Sequence, residues 1–459
     1  MTVKKGTVSK ASALFVASLA SFLTPFMGSS INIALPSIGR DFAMNAVLLS
    51  WVATAYLLAA AVFLVPFGRI ADIHGRKKVF AYGAAVYTIM SLLCGFSTSG
   101  AMLIACRALQ GIGSAMMFGT AVAIVTSVFP PEERGRALGI NVAAVYVGLS
   151  LGPFAGGFLT QHLGWESVFL ANVPLGILMV AVVLWKLKGE WAEARGERFD
   201  IFGAAFYGLA LVAVMYGFSL LPAILGAVLV AAGLLAIAVF AWWESRTASP
   251  VLNMGLFRHN AVFAFSNLAA LINYSATFAV TFLLSLYLQY VKGYSPQSAG
   301  FILVAQPVVM AVFSPLAGRL SDRIEPRIVA SAGMALTTLG LALLAALSTS
   351  ISLGLLVAVL ALLGLGFALF SSPNTNAVMS SVEKRFYGVA AGTLGTMRLV
   401  GQMLSMGIAM LLFAVVIGRV EITPEYYPLF MTSVRIAFVV FAALCFGGVF
   451  ASLARGRLR

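Results

Sequence analysis

The chain reads as an all-α polytopic membrane protein of fourteen spanning helices. Two six-helix bundles flank an inserted two-helix hairpin, and both termini are expected in the cytoplasm. Three observations predict this. Of 459 residues, 61% are hydrophobic and 10% charged, more apolar surface than a soluble fold can hide and what a bilayer requires. Apolar runs of about twenty residues follow one another without the two-residue alternation of a β-barrel. A charged turn, Gly68-Arg69-Ile70-Ala71-Asp72, returns in degraded form as Gly318-Arg319-Leu320-Ser321-Asp322, an offset of 250 residues, as expected of two related halves.

Taken in order, the first six spans fall at 12–35, 48–70, 79–98, 101–127, 137–160 and 166–187. The basic start Met1 to Lys10 leads into a run too long for a signal peptide and without a cleavage site, so it is read as span 1. Spans 7 and 8, at 200–220 and 223–243, are bland, with little polar beyond Tyr207, Tyr216 and Ser219. Charged linkers precede them (Lys188 to Arg195) and follow them (Glu244 to Asn260). The last six spans fall at 261–290, 298–320, 327–347, 352–378, 389–417 and 430–454. The first six spans cover 12–187, so a 250-residue repeat leaves an excess the size of one helical hairpin with its linkers. Spans 7 and 8 are that insertion. The predicted units are 1–188 (first bundle), 189–254 (linker and hairpin) and 255–459 (second bundle). Glu133-Arg134 and Glu383-Lys384 repeat the 250-residue offset, and Gly111-x-Gly113 returns as Gly364-x-Gly366 at 253.

A net charge of +14 invites a nucleic-acid reading, but the basic residues sort by loop. Alternate loops hold 23 of the 29 Lys and Arg, among them Lys4, Lys5, Arg76, Lys77, Lys78, Arg134, Arg136, Lys384 and Arg385. That is the positive-inside pattern, so the charge encodes topology and any contact with anionic membrane lipids follows from it. No nucleic-acid partner is expected. Cys94, Cys106 and Cys445 sit in apolar runs without disulfide or metal spacing. Neither a metal nor a cofactor is expected, and no nucleophile–base constellation points to an enzyme.

Three motifs carry a family resemblance over nearly the whole chain. They are Gly68-Arg69-Ile70-Ala71-Asp72-Ile73-His74-Gly75-Arg76-Lys77-Lys78 between spans 2 and 3, Arg107-Ala108-Leu109-Gln110-Gly111-Ile112-Gly113 in span 4, and Gly148-Leu149-Ser150-Leu151-Gly152-Pro153-Phe154-Ala155-Gly156-Gly157 in span 5. With them the chain resembles the major facilitator superfamily, specifically its fourteen-helix drug:proton antiporter branch. The resemblance implies multidrug-type export across the cytoplasmic (inner) membrane, by alternating access and in exchange for protons. It also implies that Gly68, Asp72, Gly75 and Arg76, with Gly318 and Asp322, latch the two halves on the cytoplasmic side. It implies that Gly148, Gly152, Pro153, Gly156 and Gly157 form a seam sealing one face. The glycines permit close packing, and Pro153 frees one backbone hydrogen bond and permits a bend.

Arg107 lies about 8 Å into its span and Arg398 about 14 Å, near the midplane, at 1.5 Å per residue. Charges so deep face the bundle interior by default. Arg107 is read as serving proton coupling or cavity organisation, or as pairing with backbone carbonyls of span 1; Arg398 as contacting substrate or anchoring helices. Arg435, near the start of the last span, is expected to snorkel outward. None of the fifteen Asp and Glu falls in mid-span. Relatives place an acid in span 1 where this chain has Met27, and an Arg where it has Glu166. Candidate cavity residues are Ser29, Ser30, Asn32, Tyr56, Gln110, Asn141, Tyr146, Asn273, Tyr274, Gln306, Asn374 and Gln402. Neutral polar groups scattered among Phe, Met and Leu suit amphipathic organic molecules. The expected partners are such a small molecule, protons and lipid, and the carrier is expected to act as a monomer. A second reading is a carrier of anionic amphiphiles or lipids that uses the intramembrane arginines without protons.

Overall fold

A computed structural model describes residues 9–192, 194–197, 199–247, 254–383 and 387–456. Lys4, Lys5, Lys384, Arg385 and the side chain of Asp322 lie outside the described residues. Among those described there is no strand, and 14 helices are long and apolar enough to cross a membrane. Several outrun their apolar segments, because a helix continues past the hydrocarbon once its backbone bonds are internal. Thus α1 (Lys10–Asp41) runs through Pro25 and Pro36, and α5 (Pro131–Leu163) begins before the apolar run. The other spans of the first bundle are α2 (Ala46–His74), α3 (Arg76–Gly95), α4 (Gly100–Val128) and the broken pair α6 (Glu166–Leu170) and α7 (Asn172–Trp185).

Asn45, Ser99 and Asp200 accept backbone hydrogen bonds at the starts of α2, α4 and α8 (Ile201–Leu220), satisfying donors that a helix start leaves orphaned. The hairpin is α8 and α9 (Ile224–Glu244). After the short α10 (Met254–His259), the second bundle comprises α11 (Ala261–Thr277) with α12 (Ala279–Leu286), α13 (Pro296–Leu303) with α14 (Ala305–Arg323), α15 (Pro326–Ala345), α16 (Leu353–Ser380), α17 (Tyr387–Leu412) and α18 (Tyr427–Ala454).

The internal repeat reappears as repeated packing. Gly111 of α4 abuts the Tyr56 carbonyl on α2, and a methyl group on Gly113 would lie 2.6 Å from the Tyr87 nitrogen on α3. In the second half Gly364 of α16 abuts the Gln306 carbonyl on α14, and Gly366 faces Thr337 on α15. Tyr56 and Gln306 are 250 residues apart, as are Gly83 and Gly333, which meet the same two glycine-bearing helices. Both bundles therefore use one device: a central helix stripped of side chains where two neighbours cross it.

The hairpin lies across the join. On one side the Tyr207 hydroxyl of α8 donates to the Ala61 carbonyl of α2, 3.1 Å. On the other, a methyl on Gly407 of α17 would fall 2.8 Å from the Phe218 ring. Arg419 Nη2 donates to the Ser219 carbonyl at the end of α8, 3.1 Å. An apolar groove of about 720 Å³ remains between α2, α4 and Val212 of α8, lined by alanines and large apolar side chains.

Candidate functional site

The join between the bundles is tight at one end. Gly148, Gly152 and Gly156 recur every four residues on one face of α5, where α1 lies against them. A methyl on Gly148 would sit 2.5 Å from the Phe22 carbonyl, and one on Gly156 2.8 Å from Ser30 Cα. Ser30 Oγ donates to the Gly152 carbonyl at 2.9 Å. The adjoining face of α5 meets the second bundle. Gly157 leaves room for the Pro296 carbonyl, Gly300 abuts that of Pro153, and the Phe154 and Phe301 rings meet edge-on at 5.1 Å.

Hydrogen bonds ring this contact. Gln289 Nε2 donates to the Ile33 carbonyl (2.9 Å), and the Tyr290 hydroxyl to that of Pro36 (3.2 Å). The Gln297 amide donates to Gln161 Oε1 (3.2 Å), His162 Nε2 faces Gln297 Oε1 (3.2 Å), and the Ala46 amide donates to the Val420 carbonyl (3.1 Å). Every hydrogen bond between the bundles among the described residues lies at this end.

At the other end the Gly68 turn is engaged within its own half. Gly75, at φ +120°, lets α3 start where α2 stops, a backbone angle that strains any L-residue. Arg76 Nε donates to Asp72 Oδ1 and Nη1 to Ser127 Oγ of α4, 2.8 and 2.7 Å. The linker after the first bundle then clamps the turn. Arg76 N donates to the Trp191 carbonyl (2.8 Å), Ala194 N to the Asp72 carbonyl (3.0 Å) and Lys77 N to Glu190 Oε1 (2.8 Å). Arg69 pairs with Glu197. The expected partner was the second bundle. The described partners are α4 and the linker, while the side chain of Asp322 lies outside the described residues. In the second copy Gly318 lies near Ser372, its carbonyl accepts from Ser321 Oγ, and Asn376 Nδ2 donates to Ser321 Oγ, 3.2 Å.

Arg107 is 1% exposed. Its Nε donates to the Val52 carbonyl (3.0 Å) and Nη1 to Gln110 Oε1 (2.6 Å), and its guanidinium lies 4.2 Å from the Tyr56 ring centre. The carbonyl belongs to α2 rather than the expected span 1. Gln110 Nε2 donates to Ser91 Oγ (2.7 Å) and the Tyr56 hydroxyl to Ser114 Oγ (2.7 Å). Both candidates are thereby drawn into a closed polar network of α2, α3 and α4.

Arg398 of α17 is half-buried, with Nη2 donating to Thr375 Oγ1 of α16, 2.8 Å. The Thr375 hydroxyl in turn donates to the Ser371 carbonyl, 2.8 Å. Arg398 Nε is buried without a hydrogen-bond partner, and the guanidinium lies 5.7 Å from the Tyr274 ring centre. Tyr146, Tyr274, Gln306 and Gln402 are all half-buried, and Gln402 sits one turn from Arg398 on the same face.

The remaining candidates are buried in helix contacts. Ser29 bonds the Pro25 carbonyl, Asn141 accepts from Ser21 Oγ, and Asn374 donates to the Ser266 carbonyl. Asn32 and Asn273 are buried too; Asn32 Oδ1 and both amide atoms of Asn273 lack partners. The described acids stay at helix ends or in loops: Asp41, last in α1, accepts from Trp165 Nε1 (2.7 Å), and Glu133 pairs with Lys10. Arg435, though exposed, donates to the Leu347 carbonyl. No cluster of His, Cys, Asp or Glu among the described residues could hold a metal.

Two features escaped the sequence reading. Arg455, grouped with the loop cations, is 1% exposed and donates to Asn374 Oδ1 (3.0 Å), and burial pushes its guanidinium down to about 10. The linker clamp on the Gly68 turn carries no motif, although its alternating charges at Glu190, Glu193, Arg195 and Glu197 were visible.

Comparison with known proteins agrees with this architecture. The family model described as Major Facilitator Superfamily matches residues 17–295 and 266–457. The riboflavin transporter RibZ of Clostridioides difficile (strain 630) is 31% identical over 385 residues, 84% of either chain. The cephamycin export protein CmcT of Amycolatopsis lactamdurans is 36% identical over 423 residues, 89% of this chain and 86% of its own. Among solved structures, an inward-facing, unoccupied bacterial homologue of the human lysosomal transporter Spinster superposes with a TM-score of 0.68 at 17% identity, covering 97% of both chains.

Proposed function

The chain belongs to the Major Facilitator Superfamily, a family of transporters, and from that premise we propose that it exports amphipathic organic compounds by alternating access. It is a multi-pass protein of the bacterial cytoplasmic membrane. Residues 1–188 and 255–459 rock against each other, carrying the hairpin 189–254 between them. The observation that carries this reading is the one-ended join: among the described residues, the hydrogen bonds between the bundles and the bare glycine contacts lie at the α5–α13 end. Between the ends, Arg398 and the half-buried Tyr146, Tyr274, Gln306 and Gln402 offer neutral and cationic groups to a cargo. Apolar surface with few polar anchors suits amphipathic molecules. Drug-export names among relatives support export, and RibZ widens the range of cargo.

Proton antiport, which the fourteen-helix branch implies, needs a group that changes charge with the side it faces. Asp41, near the sealed end, and Asp72, in the Gly68 turn, are candidate carboxylates for that role. Anionic amphiphiles are a second reading, favoured by Arg398. Purified protein in liposomes tests the export claim: dyes loaded on one side leave faster than from protein-free vesicles, and Gly300→Val, which wedges the seam, reduces the flux at least tenfold. Equal leakage with and without protein overturns it.

A further inference from the structure

Three separate observations bear on the charge of the cargo. Arg398 of α17 holds a guanidinium between Thr375 of α16 and Tyr274 of α11, with Nη2 on Thr375 and Nε buried and unpartnered, so donors remain for one more acceptor. The Thr375 hydroxyl spends its proton on the Ser371 carbonyl, which turns its lone pairs to Arg398 and fixes the fork. Second, every described Asp and Glu lies at a helix end or in a loop, so among the described residues no mid-span carboxylate neutralises Arg398 or prefers a cation. Third, the Gly68 end carries Lys77, Lys78, Arg319 and Arg323 beyond the Arg69–Glu197 and Arg76–Asp72 pairs. An end with an excess of one sign of charge concentrates the opposite sign.

We propose that the cargo is an amphipathic organic anion whose carboxylate, sulfonate or phosphate docks on Arg398, and that the membrane potential drives it outward. This rests on the export reading above and narrows it. A guanidinium holds its charge and cannot shuttle protons; its service is electrostatic. The docked anion makes the loaded join neutral, and the empty carrier returns with one positive charge. With the basic end facing a negative interior, that return runs down the potential. Each cycle therefore moves one negative charge out without exchanging a proton. A potential of about 100 mV corresponds to about a 50-fold concentration ratio for a monovalent cargo. Tyr274 supplies a ring face beside the charge, so an aromatic anion fits better than a small inorganic one.

The test uses the full chain in liposomes, with a potassium diffusion potential and a pH gradient imposed separately. The probes are a fluorescent aromatic sulfonate and the cation ethidium. Sulfonate flux should follow the potential, reverse when its sign reverses and ignore the pH gradient. Arg398→Gln should remove the potential-driven flux while leaving the unfolding temperature within a few degrees, and Arg398→Lys should restore part of it. Ethidium driven by the pH gradient, with the sulfonate indifferent to potential, overturns the anion proposal and leaves export standing. Movement of neither probe by folded protein overturns both. Sulfonate flux unchanged in Arg398→Gln overturns the docking role.

Discussion

Arg107 keeps a full charge out of water by spending its donors on Val52 and Gln110 while its face rests on Tyr56. Hydrogen bonds to a charged group are worth about 1.5–3 kcal/mol, and a buried partner left unsatisfied costs a similar amount. Gln110→Ala removes the acceptor of Arg107 and the donor to Ser91 together. It should lower stability by about 2–3 kcal/mol, seen as a lower unfolding temperature in detergent; an unchanged temperature would mean that water replaces the amide. Asn273 predicts the opposite. It is 0% exposed and neither amide atom has a partner, so the fold already bears that cost. Asn273→Leu should be neutral or stabilising. It should still slow transport if the amide finds partners in the other facing of the carrier, and undiminished flux would make Asn273 a plain packing residue. Sequence position disclosed that Arg107 and Arg398 were deep. It could not disclose which was enclosed, because burial depends on the angle at which neighbouring helices cross. Arg455 shows the same limit: as a cation just past the last span it looked solvated, until α11 and α16 closed over it.

The elements were legible where physics is local. Apolar runs gave all fourteen spans, and glycines four residues apart on α5 marked a close-packed face before any partner was known. What stayed hidden was which elements meet. The 188–200 linker is the clearest case, since its grip on the Gly68 turn uses three backbone donors and two glutamates, none in a recognisable pattern. Its energetics divide sharply. The Arg69–Glu197 pair is about half exposed on the glutamate side, so Glu197→Gln should cost less than about 1 kcal/mol. Gly75→Ala should cost more, because it strains a φ of +120° and drives a methyl group into the Glu190 carboxylate. The backbone strain alone is about 1–3 kcal/mol. Limited proteolysis reads the outcome: faster cleavage after Arg195 in Gly75→Ala than in Glu197→Gln. Equal rates would mean that the clamp does not depend on the tight turn.

At the scale of the whole molecule, two joins between the bundles differ in kind. Along α5 and α13 the contact is confined to one end and made of glycines, prolines and edge-on rings, which can part without breaking covalent or ionic links. Along α2 and α17 the contact continues toward the other end, where a methyl on Gly395 would lie 3.6 Å from Leu64 Cδ2. There α8 covers it from outside, bonded to α2 through Tyr207 and packed on α17 through Phe218. Rocking should therefore open the α5 side more than the α2–α17 side, with α8 acting as a strap along the hinge. Cysteine chemistry can read this, because Cys94, Cys106 and Cys445 are free and buried. Gln161→Cys with Gln297→Cys, joined by a short bismaleimide, should cross-link readily at the sealed end and stop transport. Leu64→Cys with Gly395→Cys should cross-link while leaving a larger share of transport intact, since that pair stays close in both facings. If the second cross-link stops transport as completely as the first, the hinge does not run along α2 and α17, and the hairpin is no strap.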